Sequence, residues 1–291
     1  MEKPIELPDF LPITSDYGFK VTFGNRTNTL FLRRALQALI QSSVPIVEVE
    51  LPKNTQEGET VSGRAGIYDL VCRDENGQIF LVEMQKGHFP GFVQRLRFYG
   101  NHQFNLLANK GESTFENFPK IYCIGILGFN LFSIEHYHVR ACLRDDNGLV
   151  IDNQTEYIFV ELGKFAKKGE DCATDLDKLI YVMKNAQTAP TTAQPEFMNE
   201  DWIRAALDAL DTRKMDPEEY ALAMMSWARE ASEYHAEKKR LKAAEESGVE
   251  KEKIKNIRKI ILAADWDDTK IADVFETTPE FVAKIRAELQ V

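Results

Sequence analysis

Asp69 and Glu83 are the residues whose types and spacing most clearly invite chemistry. Each borders an apolar run: Leu70 and Val71 follow the first, and Phe80, Leu81 and Val82 precede the second. Between the runs lies Asp74-Glu75-Asn76-Gly77. Asn-Gly between apolar runs is a strong hairpin signal. Asp69 and Glu83 stand equally far from Asn76, so a hairpin turning there sets the two carboxylates opposite one another, about 5 Å apart at Cα. Like charges directly opposite destabilise a sheet, and a divalent cation between them removes that cost. Oxygen-only donors favour Mg²⁺ or Mn²⁺ over zinc. Such an ion polarises a phosphoryl oxygen and lowers the pKa of a bound water. The alternative is a solvent-facing sheet edge on which both acids are merely exposed. The apolar flanks weigh against it, and the residues alone leave both readings open.

The elements that must position this pair are legible from periodicity. Side chains alternate along a strand, so Gln85 shares a face with Glu83 while Val82 and Met84 face the other way. Residues 14–42 read as helical, with Phe31, Leu32, Ala35, Leu36, Leu39 and Ile40 at helical spacing. Residues 52–63 are polar and read as a loop. Strands are expected over 65–73 and 78–85, then a helix over 92–109. A buried strand is expected over 120–132, and further strands over 137–143 and 157–162. That order gives a mixed α/β core.

The same residues carry a resemblance. Asp69, a hairpin, then Glu83-Met84-Gln85 resembles the PD-(D/E)XK nuclease core, with Gln85 where a lysine is usual. Asp16-Tyr17-Gly18-Phe19-Lys20 followed by Phe23-Gly24 resembles the entry motif of the recombination-promoting nucleases, the PD-(D/E)XK family transposases. Tyr68-Asp69, Arg95-x-x-x-Tyr99, the stretch from Phe159 to Phe165 and the charged helical tail are similar to the same family. The resemblance covers nearly the whole chain. It implies a restriction-endonuclease-like core, a mixed central sheet flanked by helices, with a helical C-terminal region. It implies a Mg²⁺- or Mn²⁺-dependent DNA endonuclease serving recombination or transfer of mobile DNA. By position it makes Asp69, Glu83 and the Met84 carbonyl metal ligands. Gln85 becomes a catalytic residue that positions without carrying charge. Two departures stand out: Tyr68 replaces the usual proline, and Gln85 the usual lysine. Both favour the competing reading of a catalytically silent DNA-binding or scaffold protein on the same fold. An RNA nuclease is the third reading.

Other residues have paired readings. Asp16 is either a further carboxylate of the metal site or, with Ser15, an N-cap. Arg95 and Tyr99 lie one helical turn apart; they hold a phosphate or the Glu83 carboxylate, or form a surface cation–π or packing pair. Lys86 directly follows the Glu-x-Gln triplet and reads as a phosphate contact. Residues 84–111 contain no Asp or Glu but hold Lys86, Arg95, Arg97 and Lys110 among aromatic rings. Cations for phosphates and rings for unstacked bases are what a DNA-facing surface needs. Phe92, Leu96, Phe104 and Leu107 are expected in the core, leaving the cations and Phe89 as contacts.

Composition narrows the rest. A net charge of −10 over 291 residues argues against a wholesale nucleic-acid coat. The four cysteines form no C-x-x-C pair, which disfavours zinc ribbons and thioredoxin-like sites. His136 and His138 share a strand face but lack a third ligand nearby. No Walker A or G-x-G-x-x-G pattern is present, so no nucleotide cofactor is expected. The longest apolar stretch is too short to span a membrane, and the first ten residues lack a signal-peptide core. A cytoplasmic protein is expected. Residues 186–200 read as a linker between a nuclease-like domain, 1–185, and a helical region, 201–291. Within that region 217–263 reads as one long helix, interrupted at Ser247-Gly248. Two short helices about Thr277-Thr278-Pro279 form a unit like a helix-turn-helix, with DNA reading or self-association as its alternatives. Double-strand cutting wants two sites related by symmetry, which a homodimer supplies.

Overall fold

The computed structural model describes residues 6–52, 69–109, 117–188, 194–263 and 266–289. Tyr68, Lys110, most of the 52–63 loop and residues 189–193 of the expected linker lie outside these.

The hairpin forms as the turn chemistry requires. Strands β2 (Leu70–Asp74) and β3 (Ile79–Gln85) pair antiparallel, Leu70 opposite Val82 and Arg73 opposite Ile79. Gly77 takes a φ of 77°, a left-handed value that glycine adopts without steric cost. The Asp74 carboxylate accepts from the Asn76 and Gln78 amides and closes the turn. One step beyond Leu70–Val82, the same register sets Asp69 against Glu83.

This hairpin enters a six-stranded sheet of order β1-β2-β3-β4-β6-β5. Here β1 is Val49–Glu50, β4 Ile121–Leu127, β5 His138–Arg144 and β6 Val150–Glu161. The central strands β3, β4 and β6 are parallel, and antiparallel strands complete both sides. Every residue of β4 is buried, as its unbroken apolar run requires. Helix α3 (Phe92–Asn109) covers one face of the sheet through Phe92, Leu96 and Tyr99, against Val71, Ile79, Leu81 and Cys123. The other face packs on α1 (Asp16–Thr22), α2 (Leu30–Ile40), α4 (Asp175–Asn185) and α5 (Asp201–Leu210). The result is a mixed sheet flanked by helices, the α/β class that the element order implies. Where one helical stretch was expected over 14–42, two helices form. Gly24 and Asn25 separate them, the Asn25 side chain accepting from the Thr27 and Asn28 amides and turning the chain.

Strand alternation decides which face the acids serve. Val71, Ile79 and Leu81 lie on the α3 side, and Leu70, Phe80 and Val82 on the other. Asp69, Glu83 and Gln85 therefore belong to the α3 side. Gly125 of β4 stands opposite Glu83 in the sheet. A Cβ at Gly125 would meet the Phe92 ring at 2.7 Å, so glycine here lets α3 sit close above the carboxylates. Gly125→Ala is expected to force Phe92 and α3 outward and to cost about 1–3 kcal/mol by overpacking. Urea denaturation would measure it, and an unchanged midpoint would refute the close fit.

Two compact units emerge, Met1–Trp227 and Ala228–Val291, where the sequence reading drew its boundary at 186–200. The physical reason is α5. Its Trp202, Ile203, Ala206 and Leu210 are buried in the same core as α2 and α4. The Leu11 amide also donates to the Leu210 carbonyl at 3.0 Å. A stretch rich in Ala, Thr and Pro precedes that helix without separating it from the core. Helix α6 (Pro217–Ala263) runs through Ser247 and Gly248 without a break. In the second unit α7 (Asp268–Val274) and α8 (Pro279–Glu288) pack Ile271, Ala272, Val282 and Ile285 against Ile257 and Ile261 of α6. Thr278 caps α8 by accepting from the Phe281 amide. Among the described residues, no helix is long and apolar enough to cross a membrane.

Candidate active site

The two carboxylates meet at one end of the sheet. Asp69 stands just before β2, and Glu83 lies near the C-terminal end of β3. The Met84 amide donates to Asp69 Oδ2 at 2.7 Å. Residue Asp69 reaches solvent at its surface, yet burial of its carboxyl among protein atoms is the main cause raising its pKa; the Asp16 charge adds to the rise. Glu83 is 6% exposed, and its pKa is pushed up to about 8. Burial is the larger cause and the Asp69 charge the second, while Arg95 and the Asp69 backbone N–H pull the other way. The Glu83 Oε2 atom is buried with no hydrogen-bond partner.

Arg95 reaches the pair from the first turns of α3. Its Nη2 lies 2.7 Å from Glu83 Oε1 and donates to Gln85 Oε1 at 2.9 Å. Of the two functional readings of Arg95, the structure shows the Glu83 contact. Guanidinium groups only donate, so Arg95 takes the oxygen end of the Gln85 amide and leaves the NH₂ end directed elsewhere. The Arg95 Cζ lies 4.4 Å from the Phe89 ring centre and 5.3 Å from that of Phe92. The sequence reading pairs Arg95 with the Tyr99 ring and misses these two, for nothing in residue spacing says which rings a guanidinium will meet.

The remaining candidates divide by position. Ser15 is the N-cap of α1, accepting from the Gly18 amide. Asp16 thus stands in the first turn rather than at the cap, near enough to Asp69 for their charges to interact. Tyr99 is buried at 7% exposure beneath α3, its pKa raised by burial and then by the Glu83 charge. It lies with the carboxylates rather than on an outer surface. Lys86 is exposed in the turn after β3. Arg97 is exposed too, but two positions after Arg95 on a helix, it faces away from the carboxylates.

The donor set bears on a metal ion. Among the described residues, no group of three or more His, Cys, Asp or Glu side chains is arranged to hold one. The side-chain donors here are two, Asp69 and Glu83. Backbone directions add a third oxygen. The Gln85 carbonyl accepts from the Gly128 amide on the β4 side. Successive residues alternate, so the Met84 carbonyl points to the β2 side, where its amide already meets Asp69. Two carboxylates and a carbonyl suit a hard ion that keeps several waters, as Mg²⁺ does, better than zinc. The partnerless Glu83 Oε2 and the mutual repulsion of the acids suit a cation held between the two carboxylates.

Comparison with known proteins bears on the chain's family. A family model described as PD-(D/E)XK nuclease family transposase matches residues 13–256. No curated protein and no solved structure matched.

Proposed function

We propose that this chain, which belongs to the PD-(D/E)XK nuclease family transposases, hydrolyses DNA phosphodiesters with Mg²⁺ or Mn²⁺ and makes breaks that promote recombination or mobile-element transfer. The observation that carries this reading is the pairing of two crowded carboxylates, one with a buried oxygen lacking any partner. Asp69, Glu83 and the Met84 carbonyl would hold the ion, with Asp16 adding negative charge beside them. When bound, such an ion polarises a phosphoryl oxygen and acidifies a bound water.

The chain's own residues do the rest. Arg95 holds Glu83 Oε1 and the oxygen end of Gln85 at once. The Gln85 NH₂ then donates toward the attacking water or a phosphate oxygen, orienting it without supplying charge. The charge a lysine would bring to that position comes instead from Arg95, fixed between Glu83 and two rings. Lys86, exposed beyond the strand end, contacts phosphate. The charge-neutral Gln85 also favours a second reading, a catalytically silent DNA-binding protein.

The test is plasmid nicking by the purified chain in Mg²⁺, Mn²⁺ or EDTA. Metal-dependent nicking is expected, and EDTA should abolish it. Folded protein that binds the plasmid but leaves it intact in every metal would overturn the nuclease reading in favour of the silent one. Competition with an RNA substrate separates the sugar types.

A further inference from the structure

Phe89 and Phe92 both lie against the Arg95 guanidinium, but their surroundings differ. Phe92 is 1% exposed, sealed between α3 and the sheet, whereas Phe89 is 40% exposed. Phe89 sits in the turn that leaves β3, four positions after Gln85. One contact of its ring is the guanidinium that holds Glu83, and much of the rest is open to solvent. From Met84 to Asn109 the sequence carries no acid, so a polyanion approaching this ring meets no repulsion from its own segment. Lys86, three positions before the ring, is exposed within the same segment.

An exposed ring next to a phosphodiester-cutting centre matches one chemical group on the substrate. In intact duplex the bases are stacked on one another and their faces are closed. An unpaired base offers a π-face, and stacking on an aromatic side chain tolerates any base. The underlying guanidinium fixes the platform, so little ordering entropy is lost when a base lands on it.

We infer that Phe89 is a stacking platform for an unpaired nucleobase, and that the favoured substrate is DNA with a single-stranded segment at the cleavage point. This rests on the nuclease reading above and names its substrate class. Phe89 acts by binding the base; Asp69, Glu83 and their neighbours serve the phosphodiester itself.

The test uses the full chain in EDTA, so that binding is read without cleavage. The probes are a single-stranded oligonucleotide carrying 2-aminopurine and the same sequence as a blunt duplex. Wild type is expected to prefer the single strand and to quench the probe. Phe89→Leu should weaken single-strand binding by roughly 5- to 150-fold, with a much smaller effect on duplex. Phe89→Trp should restore both affinity and quenching. Equal losses on both probes for Phe89→Leu would overturn the inference, since they would mean the ring only supports Arg95. Metal-dependent cleavage of duplex with no single-strand preference would also overturn it, while leaving the nuclease reading intact. Quenching that follows the ring at position 89, in a chain that cleaves nothing in any metal, would support the platform and sink the nuclease reading instead.

Discussion

Asp69→Asn and Glu83→Gln should each lower metal-dependent nicking by at least ~10³-fold, a loss of several kcal/mol of transition-state stabilisation. Each should at the same time stabilise the metal-free chain at pH 8. The two effects share one cause. The fold brings two carboxylates together against burial and against each other, and Arg95 does not outweigh those costs, because the Glu83 pKa still stands at about 8 against an ordinary 4.5. The sign follows from linkage. A carboxyl whose pKa is raised by folding is favoured in its protonated form. Its stabilising contribution is whole below pH 4.5, declines between 4.5 and 8, and is gone above 8. In EDTA, the thermal midpoint of wild type should therefore fall over that window, and that of Glu83→Gln should fall less. Adding Mg²⁺ should raise the wild-type midpoint most at the alkaline end and leave the variants nearly unmoved. Full nicking by either variant would remove that residue from the site. A lower midpoint for Glu83→Gln at pH 8 would show that the Arg95 ion pair, not repulsion, dominates the pair's energetics.

How much of the candidate site is legible in the sequence depends on what positions each residue. The Asp69–Glu83 pairing was readable because Asn76-Gly77 fixes the register of a hairpin, and register is arithmetic once a turn is placed. The α3 boundaries were readable because its apolar positions repeat at helical spacing and Pro90-Gly91 precede it. Arg95 carries alternative readings in the sequence, since spacing gives a helix face but not what that face meets. The Arg95–Gln85 bond depends on how closely α3 approaches the sheet. That closeness comes from Gly125, a residue with no side chain to announce itself. The break at Gly24-Asn25 was hidden by the apolar helical pattern on either side of it. The attachment of α5 to the first unit was hidden by local composition, because the partners that bury Trp202 and Ile203 lie far away in sequence.

Glu161→Ala should cost about 3–5 kcal/mol of stability, the range for breaking a buried ion pair from one side. Glu161 ends β6 fully buried. Its Oε2 lies 2.5 Å from Lys164 Nζ, and its Oε1 accepts from the Leu131 and Phe132 amides. Lys164 is itself only 10% exposed along its side chain and donates as well to the Phe132 carbonyl at 2.8 Å. Alanine would leave the ammonium with the Phe132 carbonyl but no counter-charge, and would leave two amides without this acceptor, each at a desolvation cost. The chain after β4 would lose its anchor, close to the candidate site. Gln85, Leu127 and Glu161 occupy one row across the three parallel strands, and the Gly128 amide just beyond holds the Gln85 carbonyl. Chemical denaturation of Glu161→Ala, Lys164→Met and the double variant Glu161→Leu/Lys164→Met measures this. The double variant should recover much of the loss, because an apolar pair of similar volume leaves no buried charge unpaired. A Glu161→Ala cost under about 1 kcal/mol, the scale of an exposed ion pair, would mean that water reaches the pair and that the anchor lies elsewhere.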